Sequence, residues 1–292
     1  MAMSFHASSN TIHMFGGVTT AGIVAGTWQW NGNTWVELAV IGPSPRADSA
    51  MVYDAAHNQS VLFGGWGGSL TYFDDMWIWD GTAWSQAGTP PANTPHARGF
   101  HAMTYDSTRG RVVLFGGLFN TPTSSQYFDD TWEWDGTAWT QVVPATSPPA
   151  RAYHAMAFDS ATSRTILFGG FNISSGNYND SWTWDGSTWA QLLTPQSPST
   201  RTNTAMVYDP TRQRTVLFGG QSNNTYFADT WTLSTPLCCP ADFNNDGVVD
   251  FFDYLDFVDA FSNNQPSADF NSDSIIDFFD YLDFVDAFSA GC

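Results

Sequence analysis

One triplet, Phe-Gly-Gly, returns five times between positions 1 and 237, ending at Gly17, Gly65, Gly117, Gly170 and Gly220. The spacings are 48, 52, 53 and 50 residues. Recurrence at a near-constant period marks a repeat architecture, in which each unit buries its apolar face only against its neighbour. Two short apolar runs lead into each diglycine, as in AMVYDAAHNQSVLFGG and HAMTYDSTRGRVVLFGG. Downstream come TWQWNGNTW, MWIWDGTAW, TWEWDGTAW and SWTWDGSTW. The central Asn-Gly or Asp-Gly is a tight hairpin signal. Each unit therefore supplies four short antiparallel strands, and Pro-rich connectors such as Gly42-Pro43-Ser44-Pro45 separate the units.

A period near 50, a diglycine after the second strand and a tryptophan 11–15 residues later resemble the kelch repeat over residues 2–237. The resemblance implies an all-β propeller with one blade per repeat. Close backbone approach accounts for the glycines, and packing between blades for Trp28, Trp77, Trp132, Trp182 and Trp231. Arg46, Arg98, Arg151 and Arg201 recur at the start of blades and read as structural hydrogen-bonders. About five blades are visible where six or seven are common in the family. The fifth unit ends at DTWTLSTPL, without a hairpin turn or final strand, and no signal peptide precedes the first. The expectation is a chain truncated at its N-terminus.

The C-terminal segment, 238–292, holds a second repeat. Residues 242–262 and 269–289 match at 17 of 21 positions, at an offset of 27. Each copy carries oxygen-bearing side chains at positions 1, 3, 5, 9 and 12, the spacing of a calcium loop. The first set is Asp242, Asn244, Asp246, Asp250 and Asp253, with the carbonyl of Val248 at position 7. The second is Asp269, Asn271, Asp273, Asp277 and Asp280, with the carbonyl of Ile275. Position 6 is Gly247 in the first loop but Ser274 in the second, so the second site is expected to be weaker or its turn distorted. A helix follows each loop, with Asp253, Asp256 and Asp259 as a polar stripe and Leu255, Val258 and Phe261 near the opposite face.

Aspartate at position 12 and a single helix per loop resemble the dockerin family, bacterial modules that attach secreted proteins to cohesin domains. The resemblance covers residues 238–292 and implies a small all-α module with two EF-hand-like loops and two calcium ions. Phe251, Phe252, Leu255, Phe278, Phe279 and Leu282 are then the partner-facing residues, with a core role as the alternative for the phenylalanines. The aromatic pairs differ from the hydroxyl-bearing residues of many cellulosomal dockerins, so the partner the resemblance implies is expected to be cohesin-like and not a standard cohesin. The Gly291-Cys292 ending resembles a bacterial variety that terminates in Gly-Cys. Cys239 or Cys238 is expected to pair with Cys292, closing a loop worth about 4 kcal/mol in the chain-entropy model. Three free thiols are the alternative. A disulfide implies an oxidising, extracellular or cell-surface location.

The chain has a net charge of −19, and its segment 238–292 contains 12 Asp and no Lys or Arg. Such acidity disfavours nucleic acid and anionic membranes as partners, and no apolar run is long enough for membrane insertion. No catalytic residue stands out. The propeller has no cysteine for a thioether-linked copper cofactor, and His101 and His154 occupy equivalent repeat positions. Glutamate is limited to Glu37 and Glu133. In the variable loop after Phe-Gly-Gly, Trp66, Phe119 and Phe171 could stack on sugar rings or pack on neighbouring blades. The expected protein is a non-catalytic one whose propeller (1–237) binds a glycan or protein, anchored by a calcium-folded module (238–292). The alternative is a dockerin-anchored enzyme of extracellular polysaccharide degradation.

Overall fold

A computed structural model describes residues 1–87, 94–194, 196–233, 241, 243–244, 249–271, 273 and 275–290. Two compact units result, Met1–Pro210 with Thr215–Thr232, and Thr211–Arg214 with Leu233–Cys292. The expected boundary at 237/238 lies outside the described residues.

The first unit is a five-blade β-propeller. Blade 1 is a four-stranded antiparallel meander of Ala2–His6, Thr11–Thr19, Gly22–Trp30 and Trp35–Leu38. Blades 2 to 4 repeat this pattern, and blade 5 has three described strands, Ala205–Asp209, Arg214–Phe218 and Thr230–Leu233. The first strand of each blade neighbours the first strand of the next, and these strands line a central cavity of about 500 Å³.

The core lies between blades. Phe15 of blade 1 clusters with Met51, Leu62, Trp79 and Trp84 of blade 2. Val61 and Phe63 of blade 2 meet Val112, Leu114, Trp134 and Trp139 of blade 3. Val113 and Phe115 of blade 3 meet Leu167, Trp184 and Trp189 of blade 4. The indole N–H groups find partners across the same seams: Trp84 donates to Thr27 Oγ1 and Trp189 to Thr131 Oγ1, both at 2.9 Å. The corresponding position for Trp139 is Met76, and the Trp139 N–H is buried without an acceptor. The outer faces of the array differ. Met3 in blade 1 is 48% exposed and Phe218 in blade 5 is 52% exposed, whereas the equivalent Met51 and Phe63 are buried.

The repeat arginines clasp one blade to the one before. The first glycine of each pair has positive φ, as at Gly64, Gly116 and Gly169. A Cβ there would stand 2.6, 2.6 and 2.7 Å from the carbonyl oxygens of Arg98, Arg151 and Arg201 of the following blade. The second glycine donates its N–H to the same carbonyls, at 2.8, 2.9 and 3.0 Å. Each guanidinium is buried and forms a two-pronged pair with an aspartate of its own blade, Arg98 with Asp130 at 2.6 and 2.8 Å and Arg151 with Asp180 at the same distances. Each also lies about 4 Å over an aromatic ring: Phe73, Phe128, Tyr178 or Phe227. A buried charge is stable only when so completely paired. These arginines are structural.

In the second unit, helix α1 spans Phe251–Ser262 and helix α2 spans Phe278–Ala290. The rings of Phe257 and Phe284, 27 residues apart, stack with centroids 4.0 Å apart and planes 3° from parallel. The Tyr254 and Tyr281 hydroxyls, also equivalent, meet at 3.1 Å. The sequence repeat is thus folded about a local pseudo-twofold. The buried face of α1 runs through Tyr254, Phe257, Val258 and Phe261, an i, i+3, i+4, i+7 spacing. Leu255, expected near the apolar face, is 45% exposed, and Asp253 of the expected polar stripe is fully buried. The cause is the loop: the Asp253 carboxylate turns inward to bind backbone N–H groups.

Candidate functional sites

The segment after Phe-Gly-Gly is a two-stranded ribbon in blades 2 to 5: Trp66–Gly68 with Thr71–Tyr72, Leu118–Asn120 with Ser125–Tyr127, Phe171–Asn172 with Gly176–Asn177, and Gln221–Ser222 with Thr225–Tyr226. Bridges Ala47–Trp66, Gly99–Leu118, Ala152–Phe171 and Thr202–Gln221 tie each ribbon to the connector that enters its blade. The three expected aromatics share this end of the propeller. Trp66 is half-buried and donates its indole N–H to Ser69 O at 3.0 Å. Phe119 packs on Tyr72 of the preceding blade at 5.5 Å, and Phe171 on Tyr127 at 6.1 Å. Interblade packing therefore occupies part of both rings.

Two residues beyond each repeat arginine, the backbone takes a left-handed conformation without glycine. Asp48, Phe100, Tyr153 and Asn203 have φ of 54°, 60°, 62° and 55°. For an aromatic residue this costs about 1–2 kcal/mol. Each is held by its neighbour: the N–H groups of Phe100, Tyr153 and Asn203 donate to the carbonyls of Asp48, Phe100 and Tyr153, all at 2.9 Å. The Phe100 and Tyr153 rings meet at 4.4 Å. Burial, then the neighbouring Tyr127, Tyr72 and Asp48, push the Tyr153 hydroxyl up to about 12, so it stays a hydrogen-bond donor. Residue type gives little trace of this collar: Asp48 and Asn203 are types that tolerate positive φ, but Phe100 and Tyr153 are not.

Beside the collar, between blades 4 and 5, is a cavity of about 340 Å³. Tyr153, Phe171, Asn177, Asn203, Gln221 and Asn223 contribute to its wall, and no charged side chain lines it among the described residues. Trp66 and Phe119 are not part of it. The sequence pointed to Phe171 alone of this set.

Elsewhere on the propeller, Glu133 and Asp54 have structural partners. Glu133 accepts from the Trp184 indole at 3.0 Å and pairs with Arg109 at 2.8 Å. The Asp54 carboxylate holds His57 Nδ1 at 2.7 Å.

In the second unit, Asp242, Asp246, Val248, Gly247, Ser274, Cys238, Cys239 and Cys292 lie outside the described residues. The rest of each loop behaves alike. Asp253 accepts the N–H of Asn244 at 3.0 Å and of Asp250 at 2.8 Å. Its counterpart Asp280 accepts those of Asn271 at 3.1 Å, Asp277 at 2.8 Å and Phe270 at 2.7 Å. Burial pushes the Asp280 carboxyl up, and these N–H bonds outweigh it and hold the carboxyl below its usual range. Asp250 caps α1 through the Phe252 N–H, with Asp253 closing a capping box, and Asp277 bonds the Phe279 N–H in the same way at 2.8 Å. Asp273 donates its N–H to Asp269 Oδ1 and Asn271 Oδ1, both at 3.0 Å. The Asp and Asn side chains of these loops offer oxygen, the donor set of a hard cation. Among the described residues, no three carboxylate, histidine or cysteine side chains converge closely enough to hold a metal ion. The Asp253, Asp269, Asp277 and Asp280 carboxylates accept backbone N–H groups. Phe251, Phe252, Phe278 and Phe279 are 64–65% exposed, and Leu255 and Leu282 are exposed too.

No family model matches the chain. One stretch is similar to a curated protein of known sequence. It is 30% identical over 141 residues to Mei4-dependent protein 6 of Schizosaccharomyces pombe (strain 972 / ATCC 24843). The match takes in 44% of this chain but 20% of that protein, so the chain spans about a fifth of its relative's length. Among the described residues, no helix is long and apolar enough to cross a membrane.

Proposed function

We propose that this is a secreted or surface-attached recognition protein without catalysis of its own. Its propeller, of kelch type, binds a glycan or protein at the ribbon end. Its C-terminal module, of dockerin type, folds with two calcium ions and docks onto a cohesin-like partner. The observation that carries this reading is the duplicated exposure of large aromatics. The four phenylalanines at loop positions 10 and 11 stand 64–65% exposed on a unit that buries Phe257 and Phe284 completely. Paired aromatics left in water mark an interaction patch.

Calcium supplies charge neutralisation to this acidic module. Asp242, Asn244, Asp246, the Val248 carbonyl, Asp250 and Asp253 would hold one ion. Asp269, Asn271, Asp273, the Ile275 carbonyl, Asp277 and Asp280 would hold the other. The equivalent loop bonds of Asp253 and Asp280 support this assignment. A Cys239–Cys292 bridge would tie the ends of the module outside the cell. The near identity of the two halves gives two binding orientations related by a half-turn.

The test uses the full chain as bait against an extracellular and cell-envelope fraction, in calcium and in EDTA. A partner retained in calcium alone is expected. Replacing Phe251 and Phe252 by alanine should leave it bound through the other half, and replacing all four phenylalanines should release it. Retention in EDTA, or by the four-fold variant, would sink the docking reading.

A further inference from the structure

The wall of the cleft between blades 4 and 5 has a specific chemistry. Tyr153 and Phe171 provide aromatic surface, Asn177, Asn203, Gln221 and Asn223 provide side-chain amides, and none of its described lining carries a charge. An amide offers two donors and an acceptor in one plane, which matches the paired hydroxyls of a sugar. An aromatic face matches the apolar C–H face of a pyranose. A phosphate or carboxylate ligand would call for arginine or lysine, and the nearest recurring arginine, Arg201, is committed to Asp229 through bonds of 2.7 and 3.0 Å. The volume of about 340 Å³ falls at the small end of ligand pockets.

The wall is also pre-set. Tyr153, Asn203 and Asn223 all hold positive φ, at 62°, 55° and 52°. Tyr153 and Asn203 are fixed there by the collar bonds. Asn177 Nδ2 is tied to Ser222 Oγ at 2.9 Å, which leaves its carbonyl oxygen to accept. Asparagine takes this conformation at little cost, but an aromatic residue such as Tyr153 persists in it only where the surrounding structure imposes it, ligand clamps among such places.

We propose that this cleft is a subsite for one uncharged pyranose unit of a neutral polysaccharide. The assignment rests on the reading of the propeller as a recognition domain and narrows its ligand class. The Tyr153 ring and Phe171 supply the stacking surface, the protonated Tyr153 hydroxyl donates, and the amides read the ring hydroxyls.

The test titrates the full chain, in calcium, with cellohexaose, mannohexaose and xylohexaose as neutral probes and trigalacturonate as a charged one. At least one neutral probe should bind and trigalacturonate should not. Tyr153→Gly removes the ring, with the relief of the positive φ offsetting part of the lost Phe100 contact, so it should weaken binding at least tenfold while the chain still melts cooperatively. Gln221→Ala should weaken binding as well. Retained affinity in both variants overturns the subsite. If that retained affinity is lost in Trp66→Ala or Phe119→Ala, recognition at the ribbon end survives without this cleft. Binding of trigalacturonate as tightly as the neutral probes, or no binding of any probe by a chain that still docks its partner in calcium, overturns the ligand class.

Discussion

Buried histidines tie the stability of the propeller to pH. His154 is buried, its ring packs edge-on to Phe115, and neither ring nitrogen has a hydrogen-bond partner of good geometry. Burial, then the Arg151 charge, lowers its pKa to about 3, opposed in part by the Phe115 backbone and Asp180. His101 is lowered for the same reasons, burial first and then Arg98. The unfolded chain binds these protons near 6.5 and the folded one does not, so stability is complete above that pH. It is lost progressively as pH falls toward about 3. For His154 alone the loss at pH 5 is about 2 kcal/mol. Thermal melts from pH 7 to 4 should therefore fall more steeply for the natural chain than for His154→Leu. Equal slopes would mean that His154 takes up its proton in the folded state. That the repeat histidines and arginines are structural was legible from their equivalent positions. Which atoms they meet was not, because the Arg–Asp pairs span 28–32 residues and form only when the connector folds back on the third strand of its own blade.

A blade depends on its diglycine in a way that a lone turn glycine does not. Gly116 combines φ of 67° with a carbonyl oxygen 2.6 Å from where a Cβ would sit, whereas Gly176, at φ 81°, has open space around it. Gly176→Ala should cost about 1–2 kcal/mol, the penalty of the left-handed conformation. Gly116→Ala should cost clearly more, since the Arg151 carbonyl must also be displaced. Denaturant melts of the two variants measure the difference, and equal losses would show that the clasp can yield. The Phe-Gly-Gly periodicity and the Asp-Gly hairpins exposed the blades directly. The ribbons after the diglycine show in the sequence only as variable loops, since strands of two or three residues are too short to show a period. In α1, Asp253 looked like solvent-facing polarity because carboxylates usually are. Its inward turn, and the outward turn of Leu255, depend on loop N–H groups whose direction is fixed only once the loop has closed.

At the scale of the whole chain, two units of different chemistry share one polypeptide. The propeller rests on apolar packing between blades and on neutralised Arg–Asp pairs. The C-terminal module, 238–292, carries 12 aspartates with no lysine or arginine. Without cations its self-repulsion opposes folding. Calorimetry should therefore resolve two transitions in calcium, with EDTA lowering the one that belongs to the module and leaving the propeller transition in place. A single transition that moves as a whole would show that the units unfold together. The collar of Asp48, Phe100, Tyr153 and Asn203 and the cleft beside it mark where sequence reading stops. The collar is assembled from four connectors, and the cleft from two connectors and the two ribbons of blades 4 and 5, which only the closure of successive blades brings side by side.

Each clasp has a direction. The arginine that opens a blade is anchored by an aspartate of its own blade, yet its carbonyl fills the turn of the blade before. Damage therefore travels upstream: a lesion at Arg151, the first residue of blade 4's clasp, loosens the Gly116–Gly117 turn of blade 3, whose own sequence is untouched.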